Sequence, residues 1–252
     1  MGYLIQATMI YDIADLRIEI RNQYPFTTDF CKQYLSCNQQ ATPDIVATIS
    51  AEDFEEERSV SVGFSDGYIE NICLYRNICR QMPSFNRMLL HASVLQLGGE
   101  AYAFLGRSGT GKSTHSRLWL KYLKGVSVVN GDKPILSIDN GTVTAYGTPW
   151  MGKEKLGENT KAPLKGLCFL KQAKENKIVK LTAEETVSLL FQQLLLPSDA
   201  EMAVKTLELA DQLIRIVPAY LLCCDISEEA VKASFEAMTG KEYAACAGNQ
   251  KG

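Results

Sequence analysis

Histidine is nearly absent from this 252-residue chain, which has only His91 and His115. That argues against a histidine-rich metal centre. No apolar run approaches the ~18 residues that a membrane span needs. No block of lysine and arginine offers a grip on nucleic acid, and the formal net charge is -3. The opening stretch, MGYLIQATMI, lacks a basic n-region and a small-residue cleavage site, so no export signal is expected. Gln6 stands where a myristoylation signal has Ser or Thr. Internal repeats and low-complexity linkers are missing as well. Cysteine is not scarce: Cys31, Cys37, Cys73, Cys79, Cys168, Cys223, Cys224 and Cys246 are present, but no two form a C-x-x-C pair. In a chain of this size without an export signal they read as free thiols of a reducing cytoplasm, with disulfides as the alternative.

What is present is an ordinary soluble composition, 46% hydrophobic and 22% charged. The length suits one large domain or two small ones. LRIEIRN and SVSVGFS alternate with period two and read as strands. The acidic run AEDFEEERS is a solvated loop or helix face. GYIENICLYRNICRQM has helical spacing through Ile69, Ile72, Cys73, Tyr75 and Ile78, and should end near Pro83. Two apolar strands flank Gly98-Gly99, a hairpin signal. VSVVNGD, PILSID, TVTAYG, APLKGLCFLKQ and AYLLCCDI read as further strands, with a turn at Asn140-Gly141. AEETVSLLFQQLL, DAEMAVKTLELADQLIRI and SEEAVKASFEAMTG read as helices, the last capped by Ser227 and stopped at Gly240. The expectation is one α/β domain: a strand-rich N-terminal part over residues 1–65, a core over 66–243 with a helical C-terminal part, and a loose tail over 244–252.

One stretch carries chemistry. GRSGTGKST, Gly106 to Thr114, matches G-x-x-x-x-G-K-[ST] in full through Gly106, Gly111, Lys112 and Ser113. A chain of this length meets that pattern by chance about one time in 100. A strand is expected before it and a helix after it, as the Walker A motif requires. Glycines let backbone N–H groups turn toward phosphate oxygens, and the helix presents its positive end to the same anion. Lys112 would place a cation on the phosphates, and the Ser113 hydroxyl would face Mg²⁺. Arg107, Ser108, Gly109, Thr110 and Thr114 complete the cradle. The competing reading is a flexible linker with an incidental lysine.

Three other features are candidates. Asp132 follows Val128 and Val129 at a strand end, where an acid can hold Mg²⁺ or take a proton; the bland alternative is a turn aspartate beside Gly131. His91 in LLHASVL is either a satisfied core residue or a site residue, while His115 reads as a packing residue of the helix after the motif. YGTPWMGKEKLGENT, with Lys153, Glu154 and Glu158, suits a loop facing an anionic substrate or an ordinary charged surface loop.

The order LLHASVL, AYAFLGRSGTGKSTH, VVNGDKPIL, YGTPWMGKE, APLKGLCFL resembles the HPr serine kinase/phosphorylase family and its phosphoenolpyruvate-carboxykinase-like relatives, over about residues 65–240. The resemblance implies a P-loop kinase core on a mixed β-sheet with few flanking helices, and ATP and Mg²⁺ as cofactors. It makes His91 a site residue and Asp132 the general base and metal-side acid. Three departures stand out. Gly131 replaces the first of the family's two adjacent aspartates. PWMGKEKLGEN stands where the family has its glycine-rich signature loop. The leader is too short for the family's separate N-terminal domain. Nucleotide binding is therefore expected, but not HPr as substrate. The acceptor would be a hydroxyl on a protein, peptide or small molecule. No nucleic acid or membrane partner is expected, and self-association is left open. A nucleotide-binding regulator is the alternative function. A carboxykinase-like decarboxylase fits less well, because two histidines hardly provide its second metal-binding set.

Overall fold

Ala14 (φ 55°) and Asp15 (φ 60°) turn the first hairpin of the chain in the left-handed region that two-residue hairpin loops need. The structure, a computed structural model, describes residues 7–245. Cys246 and residues 246–252 of the expected tail lie outside them, as do residues 1–6. Internal contacts divide the described chain into two units, 7–85 with Leu196–Lys205, and Asn86–Leu195 with 206–245.

In the first unit, β1 (Ala7–Ile13) pairs antiparallel with β2 (Leu16–Asn22), and β2 pairs parallel with the short β3 (Ile45–Ala47). Helices α1 (Pro25–Cys31), α2 (Ala51–Val60) and α3 (Asp66–Gln81) complete it. The buried face of β2, Leu16, Ile18 and Ile20, is the one that its alternation marks out. SVSVGFS is not a strand. A capping box of Ser50 and Asp53 starts α2, which runs through Val60. Val60, Val62 and Phe64 are 73%, 82% and 55% exposed, so the alternation had no face to bury.

The second unit is built on a nine-stranded mixed sheet. Its strands are β4 (Arg87–Leu89), β5 (Ala92–Leu97), β6 (Glu100–Leu105), β7 (Val126–Asn130), β8 (Ile135–Asp139), β9 (Thr142–Tyr146), β10 (Lys161–Gln172), β11 (Lys177–Lys180) and β12 (Ala219–Cys224). The main path is β4-β8-β9-β10-β6-β5-β7, with β12 parallel to β10 and β11 antiparallel to β12. Strand β6 is central and buried on both faces, which is why AYAFL is a continuous apolar run. Ala101, Ala103 and Leu105 join one core with Leu209 and Leu213. Tyr102 and Phe104 join another with Trp119 and Phe235. Those last two side chains come from α4 (Lys112–Tyr122) and α7 (Glu228–Thr239). Helix α5 (Ala183–Leu190) lies in this unit, and α6 (Ala200–Ile216) supplies Leu209 and Leu213. The class is therefore α/β with a mixed sheet. β4 and β11 were not expected; three and four residues are too short for a periodic signal. Among the described residues no helix is long and apolar enough to cross a membrane.

Candidate functional site

The stretch from Gly106 to Gly111 links the buried end of β6 to the first residue of α4. The chain can turn this tightly because Gly109 (φ 82°) and Gly111 (φ 105°) sit in the left-handed region. Thr110 donates from its hydroxyl to the Arg107 carbonyl at 2.9 Å, and Gln172 at the end of β10 donates to the Gly109 carbonyl at 3.0 Å. Arg107 donates to the side chain of Gln192 at 3.1 Å. Helix α4 is fixed to the sheet by the buried Ser93–Ser116 hydrogen bond (2.8 Å) and by Trp119 against Phe104.

Lys112 is buried, and its ammonium donates to the Gly106 carbonyl at 2.6 Å and to the Arg107 carbonyl at 3.4 Å. Burial lowers its pKa, the Asp132 charge acts to raise it and the Lys133 charge to lower it. Ser113 is exposed and Thr114 partly so.

Asp132 lies just beyond β7. Its carboxylate accepts from His91 Nε2 at 3.2 Å on one oxygen and from Lys133 Nζ at 3.0 Å on the other. Burial alone would raise its pKa, but the His91 hydrogen bond and the Lys133 charge outweigh burial and hold it near 2. His91 reaches this place because its backbone N–H bonds to the Gln193 carbonyl at 2.9 Å, while Ala92 N–H bonds to the Asp132 carbonyl at 3.1 Å. The turn is further held by Asn130 and Thr148, both buried. A side chain at Gly131 would be tight: its Cβ would stand 3.0 Å from the carbonyl oxygens of both Leu156 and Met151, which would have to give by a few tenths of an ångström.

The expected site residues thus divide. Lys112, Asp132 and His91 are brought together. Of the loop residues, Glu154 pairs with Arg117 of α4 at 2.9 Å, while Lys153 and Glu158 are exposed on the same loop. His115 is a core residue. Its Nε2 bonds Ser234 at 3.0 Å, it packs edge-on against Phe104, and burial pushes its pKa down to about 4. Sequence reasoning missed Lys133, Asn130, Thr148 and Gln192. Lys133 had one signal, its place directly after the acid. Asn130 had one as well, its place before Gly131 in a turn; Thr148 and Gln192 had none, because Lys133 and Asn130 lie 15 and 18 residues from Thr148 and Arg107 lies 85 from Gln192.

No protein-family model matches the chain, and no curated protein matches it. Among solved structures, the HPr(Ser) kinase/phosphatase from Coxiella burnetii is similar at 11% identity and a TM-score of 0.32, over 60% of this chain and 93% of that one. That likeness is too slight to assign an activity.

Proposed function

We propose that the chain is an ATP-dependent, HPr-kinase-like phosphotransferase. Mg-ATP would bind on Gly106–Thr114, and the γ-phosphoryl group would go to a hydroxyl of a protein, peptide or small molecule. The observation that carries this reading is Lys112. Its ammonium is buried at the N-terminus of α4 and held by two carbonyls of the loop it closes. An ammonium has three N–H groups, so one can turn to a phosphate oxygen. At Gly109 and Gly111 a Cβ would meet nothing within 4 Å, so the loop borders open space that a phosphate could enter. Among the described residues no group of three or more His, Cys, Asp or Glu could hold a metal ion alone. Magnesium would therefore arrive with the nucleotide, as it commonly does on one or two protein oxygens plus phosphates.

Bound Mg-ATP would supply the transferable group and the neutralising metal charge. Lys112 and the amino end of α4 would hold the phosphate oxygens and offset their negative charge. The Ser113 hydroxyl would face the metal, with the Asp132 carboxylate as the second candidate oxygen for it. Asp132, oriented by His91, takes the proton of the acceptor hydroxyl. A nucleotide-binding regulator is favoured by one specific observation. An acid held near 2 is a weak proton acceptor, and the crowded Gly131 leaves no neighbouring carboxylate to help. Transfer of label from γ-labelled ATP into size-fractionated cell lysate separates the two. The kinase reading expects label in one size class with wild type and none with Asp132→Asn. Nucleotide binding with no labelled fraction would favour the regulator.

A further inference from the structure

Asn130 and Thr148 are fully buried polar residues, yet their hydrogen bonds converge on one partly exposed turn. The Asn130 side-chain oxygen accepts from the backbone N–H of Asp132 at 2.9 Å and of Lys133 at 2.7 Å. Its amide nitrogen donates to the Thr148 carbonyl at 3.2 Å and to the Thr148 hydroxyl at 3.0 Å. That hydroxyl in turn donates to the Lys133 carbonyl at 2.8 Å and accepts from Trp150 N–H at 3.3 Å. The backbone of Lys133 is thus held at both its N–H and its C=O. A buried amide and hydroxyl are tolerated only when fully partnered, and a network so satisfied fixes one geometry. What it fixes carries the Asp132 carboxylate, between His91 Nε2 and Lys133 Nζ. From another side the chain at Gly152 closes in: a Cβ there would stand 2.9 Å from Asp132 Cβ.

We propose that Asn130 and Thr148 are positioning residues, a buried staple that sets where the Asp132 carboxylate and the Lys133 ammonium stand. The consequence for turnover rests on the phosphotransferase reading; the consequence for the position of Asp132 does not. Both are tested on one set of variants of the full chain: Thr148→Val, which keeps the shape and removes the hydroxyl, Thr148→Ser, which keeps the hydroxyl, and Asp132→Asn as reference. With only two histidines in the sequence, the ring ¹⁵N signals of His91 and His115 are readily told apart by NMR. Thr148→Val is expected to move the His91 signal in the same direction as Asp132→Asn and to leave His115 in place. Its Mg-ATP affinity should stay within a few-fold and its KM for ATP should hold. Its kcat should fall ~10–100-fold, the usual weight of groups that orient a reactive ligand. Thr148→Ser should match wild type in all of these. If Thr148→Val does not fold, Thr148→Ala removes the same hydroxyl without adding charge and carries the same readouts. A folded Thr148→Val or Thr148→Ala protein with an unmoved His91 signal overturns the staple. Unchanged turnover in Asp132→Asn would instead overturn the phosphotransferase role of Asp132, and the NMR comparison would still decide the staple.

Discussion

Asp132 accepts from two nitrogen donors, and its two candidate roles predict different outcomes for one substitution. Replacing it with asparagine keeps the shape and removes one charge. If it serves chiefly as the proton acceptor, Mg-ATP affinity stays within a few-fold and transfer falls at least ~100-fold, the usual weight of general-base assistance. If it acts mainly through magnesium, binding and turnover fall together. Calorimetry beside a transfer or slow ATPase assay distinguishes these, and the account expects the first. His91→Ala should cost less than Asp132→Asn in the same assay. It removes one hydrogen bond to the carboxylate and leaves the Lys133 contact in place. Wild-type turnover in Asp132→Asn would mean that Asp132 takes no proton.

At the scale of elements, the site is a meeting of the β6–α4 loop, the turn after β7 and the loop that follows β9. Gly131 lies where the last two touch, its N–H bonded to the Leu156 carbonyl at 2.9 Å. Gly131→Asp would place a second acid beside Asp132, but against two carbonyl oxygens 3.0 Å from its Cβ. The expected outcome is a loss of ~1–3 kcal/mol in stability by chemical denaturation with no gain in transfer. A variant as stable as wild type and faster in transfer would refute this. The contrast explains what was legible in the sequence. The strand, tight loop and helix around Gly106–Thr114 were, because their requirements are local: glycines, a lysine and a helix start within nine residues. The meeting of His91 with Asp132 was expected only through the resemblance, since no periodicity joins a residue before β5 to one after β7. Thr148 was illegible, because its bonds to Lys133 and Asn130 span 15 and 18 residues, while of Asn130 only its place in a turn before Gly131 was readable. SVSVGFS misled because alternation marks a strand only when one face is buried.

For the molecule as a whole, acid sensitivity follows from the buried histidine. The folded chain holds the His115 ring neutral down to about 4, against an ordinary value of 6.5. Between these values the unfolded chain binds a proton that the folded chain does not. Stability from this group is therefore full above pH 6.5 and is lost as pH falls toward 4, by ~3 kcal/mol. His115→Gln should flatten the dependence of unfolding free energy on pH across that window. An unchanged slope would show that His115 is not neutral in the folded chain. Asp132 acts lower, between its ordinary 3.8 and about 2, where its contribution is lost as pH falls. If the chain binds nucleotide phosphate through Lys112, calorimetric titration of Mg-ATP into wild type and Lys112→Ala will show it. The account predicts saturable one-site binding to wild type and a loss of ~2–4 kcal/mol in the variant, the weight of a desolvated charge contact. Equal binding by the two proteins, or none by wild type, would contradict it.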